Sequence, residues 1–138
     1  MSNDSIVIGV IVLVFLVFVL FPSKSIAQRI DENFDLSSKD NSNSVYVVPH
    51  TVNRTVNKIN NLKRASDVRN NDDKYFMLYK DFIIVLSSLE SRKSKVEVMS
   101  HNRAHRRHRS IIVSHWGSIR NGSVGRSLTR GGGFGFGK

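Results

Sequence analysis

Residues 6–21 consist of fifteen apolar side chains and one glycine, Gly9. A helix that is apolar all round has no face to offer water, so it requires either hydrocarbon or a large protein core. The rest of the chain is poorly supplied for such a core: of 55 hydrophobic residues, 40 remain for the other 122 positions. Small domains also bury a smaller share of their surface than large ones. The run therefore reads as a retained transmembrane anchor, with Ile6, Val10, Leu13, Phe15, Leu16, Phe18 and Phe21 facing lipid. At about 1.5 Å per residue it extends roughly 24 Å against a hydrocarbon thickness of about 30 Å, so its polar flanks must supply the margin. Hydrocarbon satisfies no backbone amide, which favours a helix despite the many β-branched residues.

Two other readings compete with the anchor: a buried helix, and a cleaved secretory leader with a small-residue cleavage site at Ser25-Ile26-Ala27. A leader begins with basic residues. Here the run is preceded by Asp4 and by no Lys or Arg. Lys24 and Arg29 follow it, so the preference of positive residues for the inner side places residues 22–138 on the cytoplasmic side of a single-pass protein.

Charge divides the remainder. The chain carries a formal net charge of +10 over 138 residues, and residues 99–138 hold eight basic side chains and no carboxylate. With no cysteine, a disulfide-stapled scaffold is excluded, and the length leaves no room for a large multidomain enzyme. The densest cluster holds Arg103, Arg106, Arg107 and Arg109 among three histidines. Guanidiniums so close repel one another and gain most from an anionic partner, whose oxygens fit their forked donors. Arg120, Arg126 and Arg130 extend that strip. A solvated basic loop is the plainer alternative.

Residues 1–22 form the anchor and residues 23–44, rich in Ser, Asn and Asp, a polar linker or extended arm. Residues 45–125 form a small α+β domain and residues 126–138 a flexible Gly/Phe-rich basic tail. Within the domain, Val45 to Val48 predicts a short strand ending at Pro49, placed at a sheet edge. Val52, Val56, Ile59 and Leu62 recur at helical spacing, predicting a helix over residues 51–64. Asn70 to Asp73 predicts a turn and a helix N-cap. Tyr75, Leu78, Tyr79, Phe82, Val85, Leu86 and Leu89 fit one helical face, which favours a helix over residues 74–90, with a β-meander as the rival. Val96, Val98 and residues 111–113 read as strands, and Asn121-Gly122 as a tight hairpin turn.

His101, His105 and His108 fall at i, i+4 and i+7, a spacing that suits a metal, but no Cys or carboxylate follows position 98 to complete a site. No Gly-x-Ser-x-Gly elbow, Walker loop or His-Glu-x-x-His pair occurs. Neither cofactor nor enzymatic activity is expected. Phe134 and Phe136, in a near-terminal Gly-Phe-Gly-Phe-Gly, read as rings on a pliable backbone that slot into a neighbour.

The expected architecture is thus a single N-terminal transmembrane helix, a small α+β body with extended arms, and a flexible basic C-terminal tail. Anchor 6–21, arm 37–44 and tail 103–138 together resemble the small, basic, single-span minor capsid or virion membrane proteins of large icosahedral DNA viruses that enclose an internal membrane. The resemblance implies a structural protein bridging that membrane to the capsid shell, with Arg103, Arg106, Arg107 and Arg109 meeting acidic neighbours. A lipid bilayer and other proteins of a large assembly are the partners on this reading. A membrane-tethered nucleic-acid-binding protein and a single-span accessory subunit of an organellar membrane complex are the alternatives.

Overall fold

The computed structural model describes residues 3–20, 23–90, 92–120 and 122–124, the side chains of Phe18 and Leu20 excepted. Eleven elements follow in order: α1 (Asn3–Leu20), α2 (Ile26–Asn33), β1 (Leu36–Asp40), β2 (Asn43–Val48), α3 (Val52–Leu62), β3 (Asp67–Asn71), β4 (Lys74–Leu78), β5 (Phe82–Glu90), β6 (Lys93–Ser100), α4 (His101–Arg107) and α5 (Arg109–Trp116). The six strands form one antiparallel sheet in the order β1-β2-β6-β5-β4-β3.

Helices cover both faces of the sheet. Ile84, Leu86, Val96, Val98, Tyr46 and Met77 join Ile26 and Ile30 of α2 and Ile59 of α3 in one core. Ile83, Val85, Phe76 and Met99 join Ala104 of α4 and Ile112 and Trp116 of α5 in a second. Successive residues of a strand point to opposite faces, so a strand buried on both sides shows no polar alternation. This is why residues 74–90 form the β4–β5 hairpin and not the expected helix. The apolar spacing that suited a helical face is two core stripes, one for each layer.

Residues 23–44 are also built into the body and are not a linker. Ser25 opens α2 with a reciprocal cap: its Oγ accepts from the Gln28 amide at 3.3 Å, and the Gln28 side chain accepts from the Ser25 amide at 2.9 Å. Burial of Ile26 and Ile30 then fixes that helix to the sheet. β1 follows as an exposed edge strand, so β2, expected at an edge, lies inside the sheet between β1 and β6. Helix α3 matches the expected amphipathic segment, with Thr55 and Ile59 buried. The Thr55 and Ser94 hydroxyls lie 2.8 Å apart, tying α3 to β6 without leaving either polar group unpaired. Asp72 and Asp73 make the turn between β3 and β4, and Asp72 takes φ +52, which short polar side chains tolerate. No helix follows that turn. Of the expected Asn121-Gly122 turn, Asn121 lies outside the described residues; Arg120 and Ser123 exchange backbone hydrogen bonds at 3.0 and 3.2 Å, with Gly122 at φ +76.

The N-terminal anchor does not stand. Among the described residues no helix is long and apolar enough to cross a membrane. Helix α1 has 18 residues, but Asn3, Asp4 and Ser5 form its first turn. Its apolar part, residues 6–20, extends only roughly 22 Å, well short of the hydrocarbon thickness of about 30 Å. The single-pass topology and the cytoplasmic placement derived from it fall with the anchor. Ile6, Val10, Leu13, Phe15 and Leu16, expected in lipid, lie exposed on α1. The Phe18 side chain and Phe21 lie outside the described residues.

Candidate cationic binding site

The arginine cluster folds into a helical elbow. Ser100 caps α4, its Oγ accepting from the Arg103 amide at 3.2 Å. At His108 the backbone leaves the helical region, with φ −129 and ψ 40, and α5 starts again at Arg109. The side chains of residues 111–113, expected as a strand, show why a helix forms instead: Ile112 and Trp116, one helical turn apart, are both fully buried on the sheet. Tertiary burial overrides the β preference of the three branched residues.

Two of the four clustered arginines are paired with carboxylates of the same chain. Arg107 donates from Nη1 to Glu97 Oε1 at 3.0 Å, and Lys95 Nζ lies 3.7 Å from the other oxygen of the same carboxylate. Glu97 sits in the middle of β6 with its side chain only 7% exposed. Arg103 reaches Asp40, at the end of β1, at 3.5 Å. Arg106 and Arg109 are exposed and have no ion pair among the described residues. They line an open cavity of about 690 Å³ on the outer side of the elbow, together with Arg107, Ser110, Val113 and Ser114. Arg120 stands exposed in the C-terminal turn, also without an ion pair among the described residues. Arg126, Arg130, Phe134 and Phe136 lie outside the described residues.

The three histidines do not share a task. His101 is buried, bonded through Nε2 to the Tyr79 carbonyl and through Nδ1 to the Val124 amide. His108 packs edge-on against Phe76, with ring centroids 5.4 Å apart. Burial, with Lys74 and Arg107 nearby, holds its pKa below the ordinary histidine value despite the opposing pull of Glu97. The Nε2 atoms of His105 and His108 are buried with no hydrogen-bond partner. Among the described residues no group of three or more His, Cys, Asp or Glu side chains could hold a metal ion.

A second polar contact fixes the far end of the elbow. Trp116 Nε1 donates to Asp67 Oδ2 at 2.8 Å, and Arg69 donates to the same oxygen at 2.8 Å. Burial pushes the Asp67 carboxyl up, but the bonds from Trp116 and Arg69 outweigh it and hold its pKa below the ordinary value.

Sequence reasoning found the arginines and missed the carboxylates that sort them. The available signal was Glu97 itself, a single charge inside the apolar run Val96, Val98, Met99. Such a residue needs a cation wherever that strand is buried.

A family model described as "Domain of unknown function (DUF4247)" covers residues 10–135. The chain belongs to the DUF4247 family. No curated protein and no solved structure matches it. The DUF4247 match spans the sheet and both helical layers, so the elbow lies within the family's domain. It carries no indication of a capsid or virion role.

Proposed function

We propose that this DUF4247 protein is a non-enzymatic structural protein that joins a larger assembly by docking its α4–α5 elbow on an acidic protein surface. The observation that carries this reading is the division of the arginines. Arg103 and Arg107 are neutralised by Asp40 and Glu97, while Arg106 and Arg109 flank an open cavity with no counter-charge among the described residues. Two exposed guanidiniums beside Val113 and Ser110 suit a protein surface that offers carboxylates around a small apolar contact. No Asp or Glu occurs in residues 98–138, so the sequence around the elbow offers the two guanidiniums no neighbouring side-chain carboxylate.

The test uses the full chain and two fluorescent probes, a poly-glutamate peptide and a duplex DNA of similar charge, followed by anisotropy at low and high salt. Binding to the peptide, weakened at least about tenfold in Arg106→Glu/Arg109→Glu, is the expected result. Binding to the duplex with a steep salt dependence, and none to the peptide, would hand the role to nucleic acid.

A further inference from the structure

His101 opens α4 and is 3% exposed. Its Nε2 lies 2.8 Å from the Tyr79 carbonyl oxygen, and the Val124 amide donates to its Nδ1 at 2.9 Å. A carbonyl cannot donate, so Nε2 carries a hydrogen. An amide N–H is the donor at the other end, so Nδ1 carries none. The two contacts together specify the neutral ring in its Nε2–H form.

That ring holds Val124, the last of the described residues. Val124 is buried in the core formed by Phe76, Ile112 and Trp116. The segment before it turns on itself through the Arg120–Ser123 bonds, and Gly117 bonds back to Val113 within α5. Among the described residues the Val124–His101 bond is the hydrogen bond that ties the C-terminal turn to a different element.

We infer that His101 is a proton-operated latch: the neutral ring holds Val124 over the Trp116 core, and a ring carrying a second proton releases it. The second proton can enter only at Nδ1, where it faces the Val124 N–H as donor against donor. With the site closed to water, no other acceptor replaces the lost one. Charged and titratable groups on the surrounding elements are the Tyr79 phenol, Lys80 and Asp81 after β4, Lys93, Lys95 and Glu97 on β6, Arg103, His105, Arg106 and Arg107 on α4, Arg109 and His115 on α5, Asp67 on the Trp116 indole, and Arg120 in the turn that follows α5. None of them is hydrogen-bonded to the ring. Release frees a turn that bears Arg120 and continues into a sequence with Arg126, Arg130 and Lys138. The latch does not depend on what the elbow binds.

The experiment is nitrogen-15 and amide-exchange NMR on the full chain between pH 8 and pH 5, with exchange corrected for its intrinsic pH dependence. At pH 8 the His101 ring is expected in the Nε2–H form, with the Val124 amide protected at least about a hundredfold. As the ring gains its second proton, Val124 protection is expected to vanish while β5 amides stay protected. His101→Gln should make Val124 exchange independent of pH, whereas His105→Gln and His108→Gln should leave the dependence in place. A Val124 amide protected throughout, an Nδ1–H ring at pH 8, or simultaneous loss of the β5 amides would overturn the latch. Should His101→Gln not fold, coincidence of ring titration and Val124 release in the unaltered protein decides the matter.

Discussion

The guanidinium of Arg107, on α4, lies 3.0 Å from the carboxylate of Glu97, in the middle of β6. This contact pins the helical elbow to the sheet and leaves Glu97 almost without water. Arg107→Ala should destabilise the protein by about 2 kcal/mol, because it strands a buried carboxylate with only Lys95 nearby. Arg107→Met combined with Glu97→Leu should cost less than Arg107→Ala alone, since the stranded charge goes too. Urea midpoints at constant m-value read the difference.

A second coupling is buried on the other face. Thr55→Val leaves the Ser94 hydroxyl without its partner and should cost about 1–3 kcal/mol. Adding Ser94→Ala should recover a substantial part of that loss. A double-mutant cycle in urea gives the interaction energy directly, and additive single effects would contradict the contact.

Asp67 ties Trp116 to β3, and the sign of its pH effect follows from its lowered pKa. The native state holds its proton less tightly than the unfolded chain does. The stabilisation is therefore present above the ordinary carboxylate value of 3.8 and fades as pH falls through the lower native value. Emission from Trp116, the chain's one tryptophan, should report a transition in that acid range. Asp67→Asn should remove it.

His108 supplies a separate dependence nearer neutrality. Its ring takes up a proton less readily in the fold than in the unfolded chain, so full stability is present above its ordinary value of 6.5 and declines as pH drops through the lower native value. His108→Phe, which keeps an aromatic ring against Phe76, should narrow the gap between urea midpoints at pH 7.5 and pH 5.5.

Every described side chain of helix α1 is exposed. Removing residues 1–22 should leave the thermal and urea midpoints of the remaining chain unchanged, with Ser25 still able to cap α2. A large fall in either midpoint would show that α1 packs on the body.

The parts of this fold that were legible are those with one wet face. Helix α3 could be read from Val52, Val56, Ile59 and Leu62 because most residues between them meet solvent, Thr55 being the buried exception. β4 and β5 could not, since Phe76 and Met77, or Ile83 and Ile84, serve opposite cores and erase the period. The arginine cluster was plain in the sequence, but its division was not. Asp40 and Glu97 lie 63 and 10 residues from the arginines they neutralise, and only the sheet brings them there. The Asp67–Trp116 bond, across 49 residues, left no local trace. The N-terminal run misled because its polar flanks were credited with the missing length, while the apolar helix itself stays short of a span.

A sheet greasy on both sides carries a hidden hazard. If β6 slid by one residue against its neighbours, Val96, Val98 and Met99 would still find hydrocarbon, so the oily residues barely object to misalignment. Ser94 and Glu97 do object, since they point to opposite faces: after such a slip Ser94 would lose Thr55, and Glu97 would turn away from Arg107 into the aliphatic layer beneath α2 and α3. Correct alignment of the central strands is thus enforced by two polar side chains, and the fold's accuracy is set where its chemistry is least greasy.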